Sequence, residues 1–321
     1  MKDRILLSTY AVRLTNLNKD NQILQRYNGQ DDFLDFIKKF TDFIFANTNQ
    51  LTDRSGTVKI HFTLEEESKI DSDERCVYGL ISSGVGGDKF KLVDMTNQTP
   101  TVKAGRDHVS FRELFFYFYI PKNKDVGYLI LQRKTNFGVK DKLKEAINSY
   151  MRSLGVTDYC ITFNNLIHEK VFKKMMAEGN LKKVDLIKSK IPFSMEDYVK
   201  NGINPGEVKG KQRISFSSYG TLPNQWKDDI LTFLKIPTNK DATLELSGLN
   251  EYEDIEFELE LYGKRKTYYV KKQYKTQPDV DVTNSITFDL NGDPLISSLV
   301  ETSKEMIADF ETLKKENAYK N

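Results

Sequence analysis

Seven consecutive apolar residues, Leu114 to Ile120, stop at Pro121, and a second apolar run, Val126 to Leu131, follows almost at once. Short apolar runs bounded by turn residues read as buried strands, so the pair predicts strand, turn, strand inside a core. The second run ends in Gln132, Arg133 and Lys134. A helix is predicted next, from near Gly138 to a stop at Gly155, with Val139, Leu143, Ala146, Ile147, Tyr150 and Met151 on its apolar face. A strand that delivers positive charge to a helix N-terminus favours an anion, because the first N–H groups are unsatisfied and the helix dipole attracts negative charge. Lys140 and Lys142 fall in the first turns and oppose that dipole, by about 0.3–1 kcal/mol each. Asp141 and Glu145 offset only part of this. A bound phosphate resolves the conflict; the plainer reading is a solvated helix face whose lysines point into water.

Around this segment the chain alternates strands and single helices. Ile5–Leu14 is a predicted strand. Asp31 or Asp32 then caps a helix that carries Phe33, Leu34, Phe36, Ile37, Phe40, Phe43 and Ile44 on one wide face. Further strands are predicted at Val58–Leu64, Cys76–Ser82, Phe90–Asp94, Thr101–Ala104, Tyr159–Phe163, Lys183–Ile187, Arg213–Phe216 and Thr243–Leu246. Helices are predicted at His168–Ala177 and Gln225–Leu234, and a hairpin at 255–272. A long last helix starts at Pro294 with Asp293 as N-cap and a stripe of Leu295, Leu299, Val300, Met306, Ile307 and Phe310. This order predicts an α+β fold with mixed or antiparallel sheets, single packed helices and a long C-terminal helix. The Pro- and Gly-containing stretch Ser194–Gly210 reads as a linker, which divides the chain into an N-terminal domain, 1–200, and a smaller C-terminal one, 201–321.

A net charge of +2 over 321 residues provides no global field to steer nucleic acid, so any such binding rests on local patches. Cys76 and Cys160 sit in apolar strand-like contexts and read as buried, inert thiols. With two cysteines and three scattered histidines, neither a metal site nor a disulfide is expected, and no cofactor or catalytic residue is assigned. Met1-Lys2-Asp3-Arg4 leads into an alternating pattern, so no secretory signal is expected. The longest apolar run falls far short of the roughly 20 residues a membrane helix needs. A cytoplasmic protein with no membrane partner is therefore the expectation.

Other features have plain structural readings. Ser83-Gly84-Val85-Gly86-Gly87 is followed by a strand and not a helix, so it reads as a hairpin turn instead of a phosphate loop. In the 255–272 hairpin, six acids in Glu251–Glu260 face six basic residues in Lys264–Lys275, with Tyr268, Tyr269 and Tyr274 interleaved. Stacking on bases is one use of that pattern. Cross-strand charge pairing is the simpler one, and a turn at Gly263-Lys264 places Glu256 opposite Lys271 and Glu258 opposite Tyr269. A third basic patch, Lys170, Lys173, Lys174, Lys182, Lys183, Lys188 and Lys190, joins the Arg133–Lys142 face if the two helices are neighbours. His108 beside Asp107 reads as an ordinary loop.

Gln132-Arg133-Lys134 also has the QxK form of metal-dependent nucleases of the PD-(D/E)xK class, in which lysine stabilises charge on the scissile phosphate and carboxylates hold a divalent metal. The acid such a site needs is poorly placed: Asp125 starts the same strand, and Asp107 and Glu113 are the other candidates. The segments Tyr-Gly-Leu-Ile-Ser-Ser-Gly, Phe-Tyr-Phe-Tyr-Ile-Pro, Gly-Tyr-Leu-Ile-Leu-Gln-Arg and Phe-Gly-Val-Lys, within about 78–151, resemble uncharacterised bacterial proteins of phage-defence and mobile-element gene neighbourhoods. That resemblance implies an antiviral defence setting and carries no catalytic residue over. The expected function is binding of nucleic acid or a defence-system protein partner, without catalysis, through Gln132, Arg133, Lys134, Lys140, Lys142, Lys173 and Lys174. The alternatives are a divergent nuclease, or a self-assembling interaction protein or phage-encoded inhibitor that forms a homo-oligomer.

Overall fold

The two apolar runs become the middle of an antiparallel sheet that carries a helical layer on each face. The computed structural model describes residues 4–47, 49–52, 59–86, 89–93, 100–106, 108–134, 138–188, 210–235, 254–272 and 275–318. In chain order the elements are β1 (Leu6–Asn16), α1 (Phe33–Ala46), β2 (Asn49–Thr52), β3 (Lys59–Leu64), β4 (Lys69–Asp71), β5 (Cys76–Gly86), β6 (Phe90–Val93), β7 (Pro100–Ala104), β8 (Val109–Tyr119) and β9 (Gly127–Arg133). They continue with α2 (Lys140–Ser153), β10 (Tyr159–Asn165), α3 (Glu169–Glu178), β11 (Asn180–Lys188), β12 (Gln212–Ser217), α4 (Asn224–Lys235), β13 (Asp254–Leu261), β14 (Lys264–Tyr269), β15 (Asp279–Asp281) and α5 (Ile296–Ala318). The fold is α+β, as the order of patterns predicts.

The chain forms two compact units, Met1–Leu166 with Pro278–Asn321, and Ile167–Gln277. This differs from the expected division at 200/201. β11, on the expected N-terminal side, is an inner strand of the second unit, paired with β12 and β13. β15, on the expected C-terminal side, pairs with β1 in the first. Which strand pairs with which is a long-range property that linker composition does not encode. The predicted linker falls largely on 189–209, and the strand predicted at Thr243–Leu246 falls on 236–250; both lie outside the described residues.

The first unit holds a nine-stranded antiparallel sheet, β10-β1-β9-β8-β5-β3-β2, with β15 beside β1 and β4 beside β5. Alternation of side chains sends Leu114, Phe116, Phe118, Leu129 and Leu131 into a core with α1 and α2. Phe115, Tyr117, Tyr128 and Ile130 enter a second core beneath α5. Burial on both faces is why an antiparallel strand here is apolar without interruption.

Asp32 caps α1, its carboxylate accepting from the Leu34 N–H at 2.9 Å. The same carboxylate holds Arg75, whose guanidinium donates at 2.5 and 2.9 Å and whose Nε donates to the Ile120 carbonyl at 2.8 Å.

Three local expectations change. Ser83–Gly86 continues β5 and is no turn: Gly84 pairs with Phe111 and His61, and a Cβ there would lie 2.5 Å from the Ser110 carbonyl oxygen. Glycine is needed for close approach of strands, not for positive φ. Pro294 bridges to Phe288, and Asp293 accepts from the Asp289 N–H, so α5 begins at Ile296. Cys160 is exposed, whereas Cys76 is buried.

The second unit is a four-stranded antiparallel sheet, β12-β11-β13-β14. One face carries Val184, Leu186, Ile255, Phe257, Leu259 and Tyr268, packed with Met175 and Met176 of α3 and Ile230 of α4. The β13–β14 turn is Tyr262-Gly263, both at positive φ, one residue earlier than predicted. Glu256 therefore faces Tyr269, and Glu258 faces Thr267. Arg265 bonds Glu260 at 2.7 Å and Glu258 at 3.3 Å, so the hairpin neutralises its own charge. Among the described residues, no helix is long and apolar enough to cross a membrane.

Candidate anion-binding site

The junction from β9 to α2 splits the cationic residues between the two faces of the sheet. Side chains alternate along β9, so Arg133 points to the α2 side while Gln132 and Lys134 point to the α5 side. Gln132 is 3% exposed, and its Oε1 accepts the Phe115 N–H at 3.0 Å. It extends the ladder just where β8–β9 pairing ends at Phe116 and Leu131, so its amide is a structural group.

On the α2 side, five elements converge. Arg133 Nη1 donates to Asp279 Oδ2 of β15 at 2.7 Å, and the Ser8 hydroxyl of β1 donates to the same carboxylate. Lys140 Nζ donates to Asn165 Oδ1 of β10 at 2.7 Å and lies 4.9 Å from the centre of the Tyr10 ring. Burial, aided by the charge on Asp279 and opposed by the Ser8 hydrogen bond and Arg133, pushes the Tyr10 hydroxyl up to about 12.

Burial also holds both helix lysines below the usual ammonium range. For Lys140 the neighbouring Lys144 adds to the effect and Asp141 opposes it; for Lys142 burial is the cause. The N-cap of α2 is Val139, which provides no side-chain acceptor to the first turn. Two partly desolvated cations thus sit at the positive end of a 14-residue helix without a capping oxygen.

On the α5 side, extending the β8–β9 register sets Lys134 opposite Glu113. Glu113 is pushed up by a hydrogen bond with Glu65 and by burial, and the charge of Lys134 acts against this. Ser82, paired with Glu113, donates to Glu65 at 3.4 Å. Among the described residues, no group of three histidine, cysteine or carboxylate side chains gathers to hold a metal. Asp107 lies outside the described residues, while His108 Nδ1 accepts the Gly105 N–H at 3.2 Å.

Lys173 and Lys174 belong to the second unit, on α3. Lys173 pairs with Glu169 at 2.5 Å, and Lys174 lies 5.7 Å from the centre of the Tyr262 ring. Lys182 donates to the Tyr219 and Gly220 carbonyls at 3.1 and 2.5 Å. Tyr268 is buried against Phe257 and Met175, which removes it as a stacking platform; Lys190 and Tyr274 lie outside the described residues.

Sequence reasoning did not single out Ser8, Tyr10, Asn165 or Asp279. The one signal for the first two was a serine and a tyrosine on the alternation that buries Val12 and Leu14. Nothing local marks Asp279, which lies 146 residues from Arg133. No protein-family model matches the chain, and no curated protein matches it.

Proposed function

We propose that the chain binds the phosphate backbone of nucleic acid at the β9–α2 junction, without catalysis of its own. The observation that carries this reading is the pair Lys140 and Lys142, both held below the usual lysine range by burial, at a helix N-terminus with no side-chain cap. An anion placed there satisfies first-turn N–H groups and adds negative charge at the helix end that carries both lysines. Arg133, at the end of the strand that leads to α2, is neutralised by Asp279. The resemblance of about 78–151 to phage-defence neighbourhoods suggests an antiviral setting. Lys173 and Lys174, on the other unit, are left out of the site.

Anisotropy of a labelled duplex across a salt series tests the reading. Affinity should fall steeply with salt, and Lys140→Gln/Lys142→Gln should reduce the slope of log K against log salt by about 2. Salt-independent binding, or an unchanged slope in the double variant, defeats it.

A second reading is favoured by one observation: Glu113, whose carboxyl is held above the usual range by Glu65 and by burial, shares a sheet face with Lys134, which the register sets opposite it. A divergent PD-(D/E)xK nuclease would use the two carboxylates for a divalent metal and Lys134 at the phosphate. Mg²⁺-dependent cleavage lost in Lys134→Ala supports this; intact substrate with every metal tried removes it.

A further inference from the structure

The second unit brings unlike parts of the chain together at one end of its sheet. After β14, Val270 and Lys271 continue along β13 in the same register: the Val270 N–H donates to the Ile255 carbonyl at 3.0 Å, and the Lys271 N–H to Asp254 Oδ1 at 3.0 Å. Lys272 follows at this end of the sheet, and Lys211 precedes β12 on the far edge of the same sheet. A cavity of about 170 Å³ opens there, lined by Lys211, Arg213, Asp254, Glu256, Lys271 and Lys272, with Ile187 among them.

The carboxylates in this cavity are already engaged. Arg213 bridges Asp185 and Glu256, each at 3.1 Å, and Asp254 accepts the N–H groups of Ile255 and Lys271. Lys211 and Lys272, by contrast, both line this one small cavity, where the charges of Lys272 and Lys275 act on Lys211 and that of Asp254 opposes them. Exposed lysines with free rotamers normally spread apart. Here two segments distant in sequence hold two like charges together where fixed backbone bonds position one of them. The cavity is smaller than the 300 Å³ or so at which drug-sized sites begin, which suits a small, highly charged anion and not a nucleobase.

We propose that Lys211, Lys271 and Lys272 form a second, independent site for a multiply charged phosphate group. The group is either the polyphosphate of a free nucleotide-type ligand or the backbone of a nucleic acid. Neither source depends on the α2 junction, which belongs to the other unit. A phosphate seated between Lys211 and Lys272 replaces ammonium–ammonium repulsion with two charge-assisted hydrogen bonds. Lys211 is held below the usual ammonium range by Lys272, against the opposing charge of Asp254, which agrees with a lining whose cations outnumber its carboxylates.

Calorimetric titration of the full chain with sodium pyrophosphate at low salt is the test. Wild type should bind saturably, Lys211→Gln/Lys272→Gln about tenfold or more weakly, and Lys264→Gln, on the same hairpin, like wild type. Without pyrophosphate the double variant should be at least as resistant to urea as wild type, since it loses a like-charge contact; its lost binding is then not unfolding. In the Lys140→Gln/Lys142→Gln background, which removes the α2 junction, saturable pyrophosphate binding should persist and should be lost when Lys211→Gln/Lys272→Gln is added. A labelled single-stranded oligonucleotide separates the sources. Displacement by pyrophosphate and loss in the Lys211/Lys272 variant assign the backbone, and indifference to both assigns a free polyphosphate. The proposal is overturned if wild type shows no saturable binding at about 10 mM pyrophosphate, if the Lys211/Lys272 variant binds equally well, or if the α2 variant is the one that loses binding.

Discussion

If the β9–α2 junction binds phosphate as proposed, replacing Asp279 with asparagine should weaken the first unit and strengthen binding of nucleic acid. Asp279 accepts from Arg133 at 2.7 Å and from Ser8, and the two charged side chains are 24% and 19% exposed. Asparagine keeps the volume and one acceptor but loses the charge. Hydrogen bonds to charged groups contribute about 1.5–3 kcal/mol; partial exposure to water trims this, so a loss of about 1–2 kcal/mol is expected for the first unit. Binding should move the other way, because Arg133 is no longer neutralised and adds one cation to the phosphate-facing set. The slope of log K against log salt should steepen by about 0.9, with affinity at low salt rising a few-fold. Urea unfolding and duplex anisotropy on the same preparations measure both effects. Arg133→Ala/Asp279→Asn should return the slope to the wild-type value. Weaker binding with an unchanged slope would refute the reasoning, since Asp279 would then be helping the site and not masking Arg133. Tyr10 offers a spectroscopic check: its hydroxyl should titrate lower in the variant, while burial keeps it above an ordinary tyrosine.

The buried Arg75–Asp32 pair should be the costliest single contact to break in the first unit. Asp32→Ala strands a guanidinium that is 9% exposed and removes the α1 cap, for a loss of about 3–5 kcal/mol in urea unfolding. A double-mutant cycle with Arg75→Met should give a coupling of at least about 1 kcal/mol, and additive effects would show the pair to be unimportant. In the second unit, burial pushes the Asp185 carboxyl up, but bonds from Ser215 and Lys183 and the charge of Arg213 outweigh it and hold the group below the usual range. Its folded value is depressed, so its stabilisation is present above the unfolded carboxylate value, near pH 4, and is lost as pH falls through the folded one. Asp185→Asn should flatten that acid limb of the second unit's unfolding, and an unaltered limb would count against the assignment.

Much of the local structure was legible. The helix spanning Phe33–Ala46 and its Asp32 cap, the strands flanking Pro121, and the helix ending before Gly155 follow from periodicity, capping and breakers, which act within a few residues. The β13–β14 turn lies one residue before the Gly263-Lys264 position that the sequence predicts because Tyr262 adopts positive φ, a conformation glycine signals more readily than tyrosine. Local composition reads the glycines at 84 and 86 as a turn because it cannot tell positive φ from the close packing of strands found at Gly84.

The apolar runs 114–120 and 126–131 determined, by composition alone, that a buried pair of strands had to lie at the centre of any fold this chain adopts. That the pair is covered on both faces, by α1 and α2 on one side and α5 on the other, was decided only in three dimensions. So was the fate of the cationic cluster. Sequence placed Gln132, Arg133 and Lys134 side by side, but a strand turns successive side chains to opposite faces, so tertiary structure parted them. It set Gln132 to capping a strand and paired Arg133 with an aspartate from the far end of the chain. Period and propensity are local and can be read along the chain; charge neutralisation depends on which distant segments meet, and folding alone brings those together.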